Sequence, residues 1–198
     1  GVYAVTLTGN CIVSNTLTFN SANTISGADF EARGDIVFTS TNYFLSASKI
    51  IVNGTGTQNC SGTGNSGLSF EINKISGVLN YNSDIGFHRD YTYLTGTVNW
   101  NTYKATFLNS WGGVITSGNF NNLTINKATY SLVITNTCTV NGNLIVTAWV
   151  TSSSTSNLEV KGDITFNSST SVGTNTIIAN GTGTQNVSGT GGCPINFE

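Results

Sequence analysis

The segment Asn53-Gly-Thr-Gly-Thr-Gln-Asn-Cys-Ser-Gly-Thr-Gly64 occurs a second time as Asn180-Gly-Thr-Gly-Thr-Gln-Asn-Val-Ser-Gly-Thr-Gly191. Eleven of the twelve residues are identical, and the one difference places Val187 where the first copy has Cys60. The segment has no helical period, and it lacks the lysine and the following helix of a phosphate-binding loop. We interpret each occurrence as turns and a short polar strand, in the same place in two copies of one larger unit.

The repetition extends well beyond this segment. Residues 31–38 match residues 159–166 with the offset increased by one, as a single insertion in the preceding loop would produce. The sequence therefore divides into a first copy at residues 1–71, intervening residues 72–127 and a second copy at residues 128–198. We expect the three parts to form a single continuous domain.

A weaker match lies at the borders of the intervening part. Phe70-Glu-Ile-Asn-Lys74 resembles Asn122-Leu-Thr-Ile-Asn-Lys127, and both end in an Asn-Lys pair. The chain thus repeats itself at two different spacings.

Short runs of alternating apolar and polar residues arrive about every ten residues along the chain. Val5 and Leu7 alternate with threonines, and so do Leu17 and Phe19. A period of two is typical of half-buried strands, and no helical segment separates the runs. Short strands, turns of Gly, Asn, Ser and Thr, and an internal repeat of about 127 residues together predict an all-β solenoid, more specifically a right-handed parallel β-helix.

The composition excludes several classes of function. Charged residues make up only 8% of the 198 residues, compared with about 25% in an average domain. The net charge is −2, without the basic stripe that nucleic-acid binding requires. No apolar run approaches the roughly 18 residues of a membrane span. We therefore predict no nucleic-acid partner, no membrane span and no cofactor.

Four cysteines at wide spacing match no zinc-binding pattern. One interpretation is that they are buried small apolar side chains. The alternative is one disulfide within each copy, Cys11 with Cys60 and Cys138 with Cys193. Each disulfide requires two Cα atoms within about 7 Å of one another.

One cluster of charged residues lies between the two copies, in residues 84–90. It contains Asp84, Arg89 and Asp90 together with His88, which is the only histidine of the chain. These four are the candidate binding residues, because two carboxylates can act as acid and base in polysaccharide cleavage and a histidine can act as a base near neutral pH. The alternative, which we favour, is a polar loop on the solenoid.

Two further groups of side chains have both a structural and a functional interpretation. Glu31, Arg33 and Asp35 are spaced by two and are expected to share one strand face as solvated charges. The other group is aromatic and is expected to form either a sugar-stacking face or part of the core: Tyr91, Tyr93, Trp100, Tyr103, Trp111 and Trp149.

The repeated segment, the strand-like Leu123-Thr-Ile-Asn-Lys127 and the segment Thr139-Val-Asn-Gly-Asn-Leu-Ile-Val146 resemble the repeat regions of very large secreted bacterial cell-surface proteins. Those proteins are adhesin-like and carry long β-solenoid stalks. The resemblance covers the whole chain and implies an extracellular structural or adhesive role, in a stalk or filament, without catalysis. The alternative function is a carbohydrate-binding or polysaccharide-cleaving β-helix that uses residues 84–90.

The chain enters the strand pattern by Val5 and stops within the strand-like Ile195-Asn-Phe-Glu198. The end of a solenoid exposes an unpaired strand edge, which natural solenoids cover with a capping element. We therefore expect the chain to pair end to end with copies of itself or with further repeats of the same chain. Surface glycans are a second candidate class of partner.

Overall fold

The computed structural model of the protein describes residues 4–20, 24–40, 48–108, 111–150, 156–168, 176–191 and 196–197. Every regular element in these ranges is a β-strand and none is a helix, so the all-β prediction is confirmed. The first strands are β1 Ala4–Thr6, β2 Cys11–Val13, β3 Leu17–Phe19, β4 Thr24–Ser26, β5 Phe30–Ala32, β6 Ile36–Phe38, β7 Lys49–Val52, β8 Gln58–Gly62, β9 Asn65–Ser66, β10 Ser69–Tyr81, β11 Ile85–Phe87 and β12 Tyr91–Asn99. They are followed by β13 Lys104–Phe107, β14 Gly113–Ile115, β15 Gly118–Phe120, β16 Asn122–Ile134, β17 Cys138–Val140, β18 Leu144–Val150, β19 Asn157–Val160, β20 Ile164–Phe166, β21 Thr176–Ala179, β22 Val187–Gly189 and β23 Asn196–Phe197.

The strands stack in parallel, each on a strand about one turn later in the chain. In one ladder Cys11 pairs with Phe30, Phe30 with Ile50, Ile50 with Phe70, and Phe70 with Tyr91. One turn therefore takes about 20 residues, the lower end of the range of known solenoid repeats. The prediction of a parallel β-solenoid is confirmed.

Successive strands of one turn belong to three faces of the solenoid. The first face contains the ladder β9, β11, β13, β16, β18, β20 and β22. The second face contains β2, β5, β7, β10, β12, β14 and the second half of β16. The third face contains β3, β6, β8 and the second halves of β10 and β12, followed by the ladder β15, β17, β19, β21 and β23.

Alternate residues of most strands point inward and form one continuous apolar core, from Leu17 to Ile177 among the described residues. Aromatic side chains of successive turns stack on one another inside it. The rings of Phe19 and Phe38 lie 5.3 Å apart and 10° from parallel, and those of Tyr81 and Trp100 lie 3.6 Å apart and 5° from parallel. Such like-on-like stacking is what a solenoid core of repeated turns produces.

The weaker match, between the two Asn-Lys strands, is also visible in the structure. β10 and β16 are both 13 residues long, and the order of buried and exposed residues along them is identical. Each strand bends between two faces. β10 runs from the second face to the third, whereas β16 runs from the first face to the second.

The two copies of the repeated segment make the same contact with the preceding turn. Gln58 Nε2 donates hydrogen bonds to the carbonyl oxygens of Ala32 and Gly34, at 3.0 and 2.6 Å. Gln185 Nε2 donates to the equivalent pair of carbonyls, including that of Val160 at 3.0 Å. The glutamine of the segment therefore holds the corner of the turn on which it stacks.

Two glycines of the segment are required by backbone conformation and by space. Gly62 and Gly189 have φ angles of +125° and +126°, which side-chain-bearing residues rarely adopt. A Cβ on Gly62 would lie 1.9 Å from the carbonyl oxygen of Phe38, and one on Gly189 would lie 1.8 Å from that of Phe166. The glycines permit close stacking of the corners.

The second copy is rotated by one face relative to the first. Cys11 lies on the second face and its match Cys138 on the third, while Leu17 lies on the third face and its match Leu144 on the first. This follows from the turn length, because the offset between the copies is not a whole number of turns.

We expect Gly62→Ala to lower the free energy of unfolding by about 1–3 kcal/mol, which is the cost of a strained φ for a residue other than glycine. The matched control is Gly56→Ala, because a Cβ there meets no atom within 4 Å. Chemical denaturation of the two variants and the parent measures the difference. Equal stability of the two variants would show that the corner relaxes to admit a methyl group.

Candidate functional site

The residues of the candidate cluster 84–90 lie along one turn of the solenoid. β11, Ile85–Phe87, is a buried strand of the first face. Asp84 precedes this strand, and Asp90 follows it, directly before β12 of the second face. A strand about 10 Å long therefore separates the two residues. The cavity that Asp84 borders, together with Lys104 and Asn122, is not lined by Asp90.

Each carboxylate of the cluster is bound to a neighbouring turn. Asp84 Oδ1 accepts a hydrogen bond from the backbone N–H of Lys104 at 2.9 Å, and Oδ2 lies 3.6 Å from the Nζ atom of the same lysine. Asp90 Oδ1 accepts from the backbone N–H of Val114 at 2.9 Å, and Oδ2 accepts from the hydroxyl of Ser69 at 3.3 Å. This arrangement favours a structural role for both carboxylates.

The two basic residues of the cluster also face the body of the solenoid. His88 is only 3% exposed, and burial together with the positive charge of Lys127 lowers the pKa of its imidazole to about 4. A group with this pKa is a poor general base near neutral pH. The guanidinium carbon of Arg89 lies 4.9 Å from the ring centroid of Trp111, one turn later, in a cation–π contact.

The contact between a carboxylate and a backbone amide recurs in both copies. Asp35 Oδ1 accepts from the N–H of Asn59 at 2.8 Å, and the matching Asp163 accepts from the N–H of Asn186 at 2.9 Å. Asn143 Oδ1 has the same role toward the N–H of Asp163, at 2.9 Å. An Asp or Asn before a strand thus satisfies a backbone donor in the next turn.

The expectation that Glu31, Arg33 and Asp35 share a strand face is wrong. β5 ends at Ala32, and the chain turns a corner before Asp35, which precedes β6 on the next face. Arg33 and Glu31 do form an ion pair, with 3.2 Å between Nη2 and Oε2. Residues spaced by two share a face only within one strand. Here the strands are only three residues long, so the spacing from Glu31 to Asp35 extends across a corner.

Lys74 occupies an inward position at a corner, and its side chain is 1% exposed. Its Nζ atom donates to the carbonyl oxygens of Gly54 and Gly56, the latter at 3.0 Å, and to Oε1 of Gln58 at 2.6 Å. Burial lowers the pKa of this ammonium group. Lys74 therefore binds the repeated segment from inside the solenoid.

Lys127 is the match of Lys74 in the second Asn-Lys pair, and it is fully buried. Its Nζ atom donates to the carbonyl oxygens of Trp111 at 2.6 Å and His88 at 3.3 Å. Burial lowers its pKa to about 8, although the negative charge of Asp90 acts in the opposite direction. The repeated Asn-Lys pair was the sequence signal for these lysines, but their burial was not predicted.

The structure has Cys11, Cys60 and Cys138 as free thiols, so it does not contain the Cys11–Cys60 disulfide. The reason is the ladder: Cys11 lies on β2 of the second face, whereas Cys60 lies on β8 of the third face, two turns later. Cys60 and Cys138 are buried, as the first interpretation predicts, and burial raises the pKa of the Cys138 thiol to about 12. The other pairing involves Cys193, which lies outside the described residues.

Half of the candidate aromatic residues belong to the core and cannot form a sugar-stacking face. Tyr91, Trp100 and Trp149 are buried. Trp149 Nε1 donates to the carbonyl oxygen of Leu132 at 3.0 Å, inside the solenoid. Tyr93 is half-buried and borders a groove on the third face.

This groove follows a break in the third face. Within the described residues no ladder joins the second half of β12, Thr97–Asn99, to β15. An open cavity of about 390 Å³ lies along the break, and a second of about 220 Å³ adjoins it through Val98 and Asn119. This groove was not predicted from the sequence.

Comparison with known proteins found no family model, no curated protein and no solved structure that matches this chain. Among the described residues, no helix is long and apolar enough to cross a membrane. In the same ranges, no three His, Cys, Asp or Glu side chains lie together as a metal-binding group. The class of protein that the structure defines is a parallel β-solenoid with three faces.

We expect Lys74→Met to destabilise the protein by about 1–3 kcal/mol, because it leaves buried acceptor oxygens without a donor. Lys104→Met is the matched control, since the Lys104 side chain is 39% exposed and its ion pair with Asp84 is a surface pair, worth less than about 1 kcal/mol. Urea denaturation at neutral pH measures both. A Lys74 variant as stable as the Lys104 variant would contradict the role of Lys74 in the corner.

We expect the stability of the parent to fall as the pH decreases from about 6.5 toward 4. The unfolded chain protonates His88 near pH 6.5, whereas the folded protein holds its pKa near 4, so protons favour the unfolded state in this range. His88→Gln should lose less stability between pH 7 and pH 4.5 than the parent. Denaturation midpoints at the two pH values test this. Equal losses would show that His88 does not contribute.

Proposed function

We propose that the protein is a structural, rod-forming segment of an extracellular stalk or filament, with an adhesive rather than a catalytic role. The observation that supports a structural role is that the charged side chains contact other parts of the solenoid. Each charged side chain in the described ranges contacts its own or a neighbouring turn: Asp29, Glu31, Arg33, Asp35, Lys49, Glu71, Lys74, Asp84, Arg89, Asp90, Lys104, Lys127, Glu159, Lys161 and Asp163.

These contacts favour cohesion between turns over chemistry on a substrate. An acid–base pair in an enzyme must converge on the reacting atoms, whereas Asp84 and Asp90 each accept a hydrogen bond from a backbone amide of another turn. The outward residues between the charges are mostly Thr, Asn and Ser. Such a surface suits a spacer that neither collapses on itself nor attracts polyanions.

The extracellular location and the adhesive role rest on the resemblance of the repeats to bacterial cell-surface stalks. Partners of the same kind, either further repeats of the chain or other copies, follow from the same argument. A parallel solenoid can extend by adding turns, because every turn presents the next one with the same strand edge.

Small-angle scattering and an enzyme assay test the proposal together. We expect scattering from an elongated particle, and no release of reducing ends from a panel of neutral and acidic polysaccharides. The comparison variant is Asp84→Asn/His88→Gln/Asp90→Asn, which keeps acceptor oxygens for the neighbouring amides. Turnover by the parent that this variant loses would contradict the structural role. Scattering from a compact particle would contradict the proposal that the protein forms a rod.

A further inference from the structure

The second half of β12 ends in a tight turn. The N–H of Tyr103 donates to the carbonyl oxygen of Trp100 at 2.8 Å, and Asn101 has a φ angle of +50°. Within the described residues no ladder joins Thr97–Asn99 to β15, which lies one turn later on the same face.

The break leaves two strand edges facing one groove. Thr97, Val98 and Asn99 pair with β10 on one side, and β15 pairs with β17 on its far side. In the described ranges neither strand has a ladder partner on the side that faces the other. Backbone N–H and C=O groups on such edges can form hydrogen bonds with a ligand or with another chain.

The walls of the groove are held in place before any ligand binds. The N–H of Tyr93 donates to Oγ1 of Thr116 at 3.1 Å, and the hydroxyl of Ser117 donates to the carbonyl oxygen of Tyr93 at 3.2 Å. The Tyr93 hydroxyl in turn donates to the carbonyl oxygen of Gly96. A pre-formed site loses little entropy when a ligand binds.

The side chains along the groove are polar but uncharged. None of the described residues that line either cavity is Asp, Glu, Lys, Arg or His. Hydroxyl and amide groups form much of the lining: Thr97, Ser117, Asn119, Thr137 and Thr139. Val98 and the half-buried Tyr93 form the apolar part of the lining, which the buried Tyr91 also borders. The volume of the larger cavity, about 390 Å³, falls within the usual range of ligand sites.

We propose that this groove binds a short, neutral oligosaccharide. A sugar chain offers hydroxyl groups that can donate to and accept from both strand edges and from the amide of Asn119, and it offers C–H surfaces to Val98 and Tyr93. An anionic ligand would find no cation to pair with among the described residues that line the groove. A peptide strand is less well suited, because the side-chain pockets that give strand addition its specificity would here be lined mainly by polar groups.

The inference deepens the adhesive part of the proposed function, and it assigns the ligand to a site other than residues 84–90. Asn119 is the residue on which to test it, since it lines both cavities and its side chain is exposed at the middle of β15. Asn10→Ala is the matched control, because Asn10 is also exposed and lies in a different turn.

The probes are neutral tetrasaccharides of glucose, mannose and galactose, with oligogalacturonate as the charged counterpart and a library of extended peptides as the alternative ligand class. Arrayed probes are screened first, and calorimetric titration then measures affinity. We expect the parent and Asn10→Ala to bind a neutral tetrasaccharide equally, Asn119→Ala to bind it about tenfold more weakly, and Asn119→Trp, which fills the groove, to lose binding. Circular dichroism and thermal melting check that each variant is folded.

The proposal is overturned if the parent binds no neutral probe, or if binding persists in a folded Asn119→Trp variant. Binding of peptides in place of sugars would replace it with strand addition, and a preference for oligogalacturonate would contradict the argument from charge. The scattering and turnover measurements that test the rod do not depend on any of these outcomes, so the two failures are distinguishable.

Discussion

At each corner of the solenoid the backbone leaves one parallel ladder before it enters the next, so its N–H and C=O groups lose their partners in the sheet. Buried backbone groups without partners are costly, and a turn with three faces has three corners. Here the partners come from adjacent turns. Gln58 and Gln185 donate to corner carbonyls, while Asp35 and Asp163 accept from corner amides. The same requirement buries Lys74 beneath the repeated segment.

The need to pair backbone groups at the corners explains why most of the few charged residues contact a neighbouring turn. A carboxylate beside a backbone amide forms a charge-assisted hydrogen bond, which is stronger than a neutral one. Placing Asp84 and Asp90 against amides of the next turn therefore adds cohesion where the sheet provides none. The cluster around His88 looks like a site in the sequence because the contacts of Asp84, Arg89 and Asp90 with neighbouring turns fall close together in the chain.

The strands and the parallel stacking could be predicted, since the alternation around Leu17 and Phe19 and the repeated segment both survive in the sequence. The partners of Gln58 and Lys74 could not, because they lie 16 to 26 residues away and depend on the register of turns. The break beside Asn119 was missed for the same reason. The absence of a ladder between β12 and β15 becomes visible only when the pairing of the strands is known.

The rotation of the second copy shows which unit the sequence repeats. Had the unit been a whole turn, matching residues would stack on one face, yet Cys60 lies on the third face and Val187 on the first. The weaker match between β10 and β16 also shifts by one face, because the spacing between these two strands is not a whole number of turns either. Its direction is opposite: β10 begins on the second face and β16 on the first. What recurs is therefore a strand, a corner and the contact of that corner with the turn before it. Because the two copies occupy different faces of the solenoid, a surface feature that belongs to the repeated unit changes face from one copy to the next.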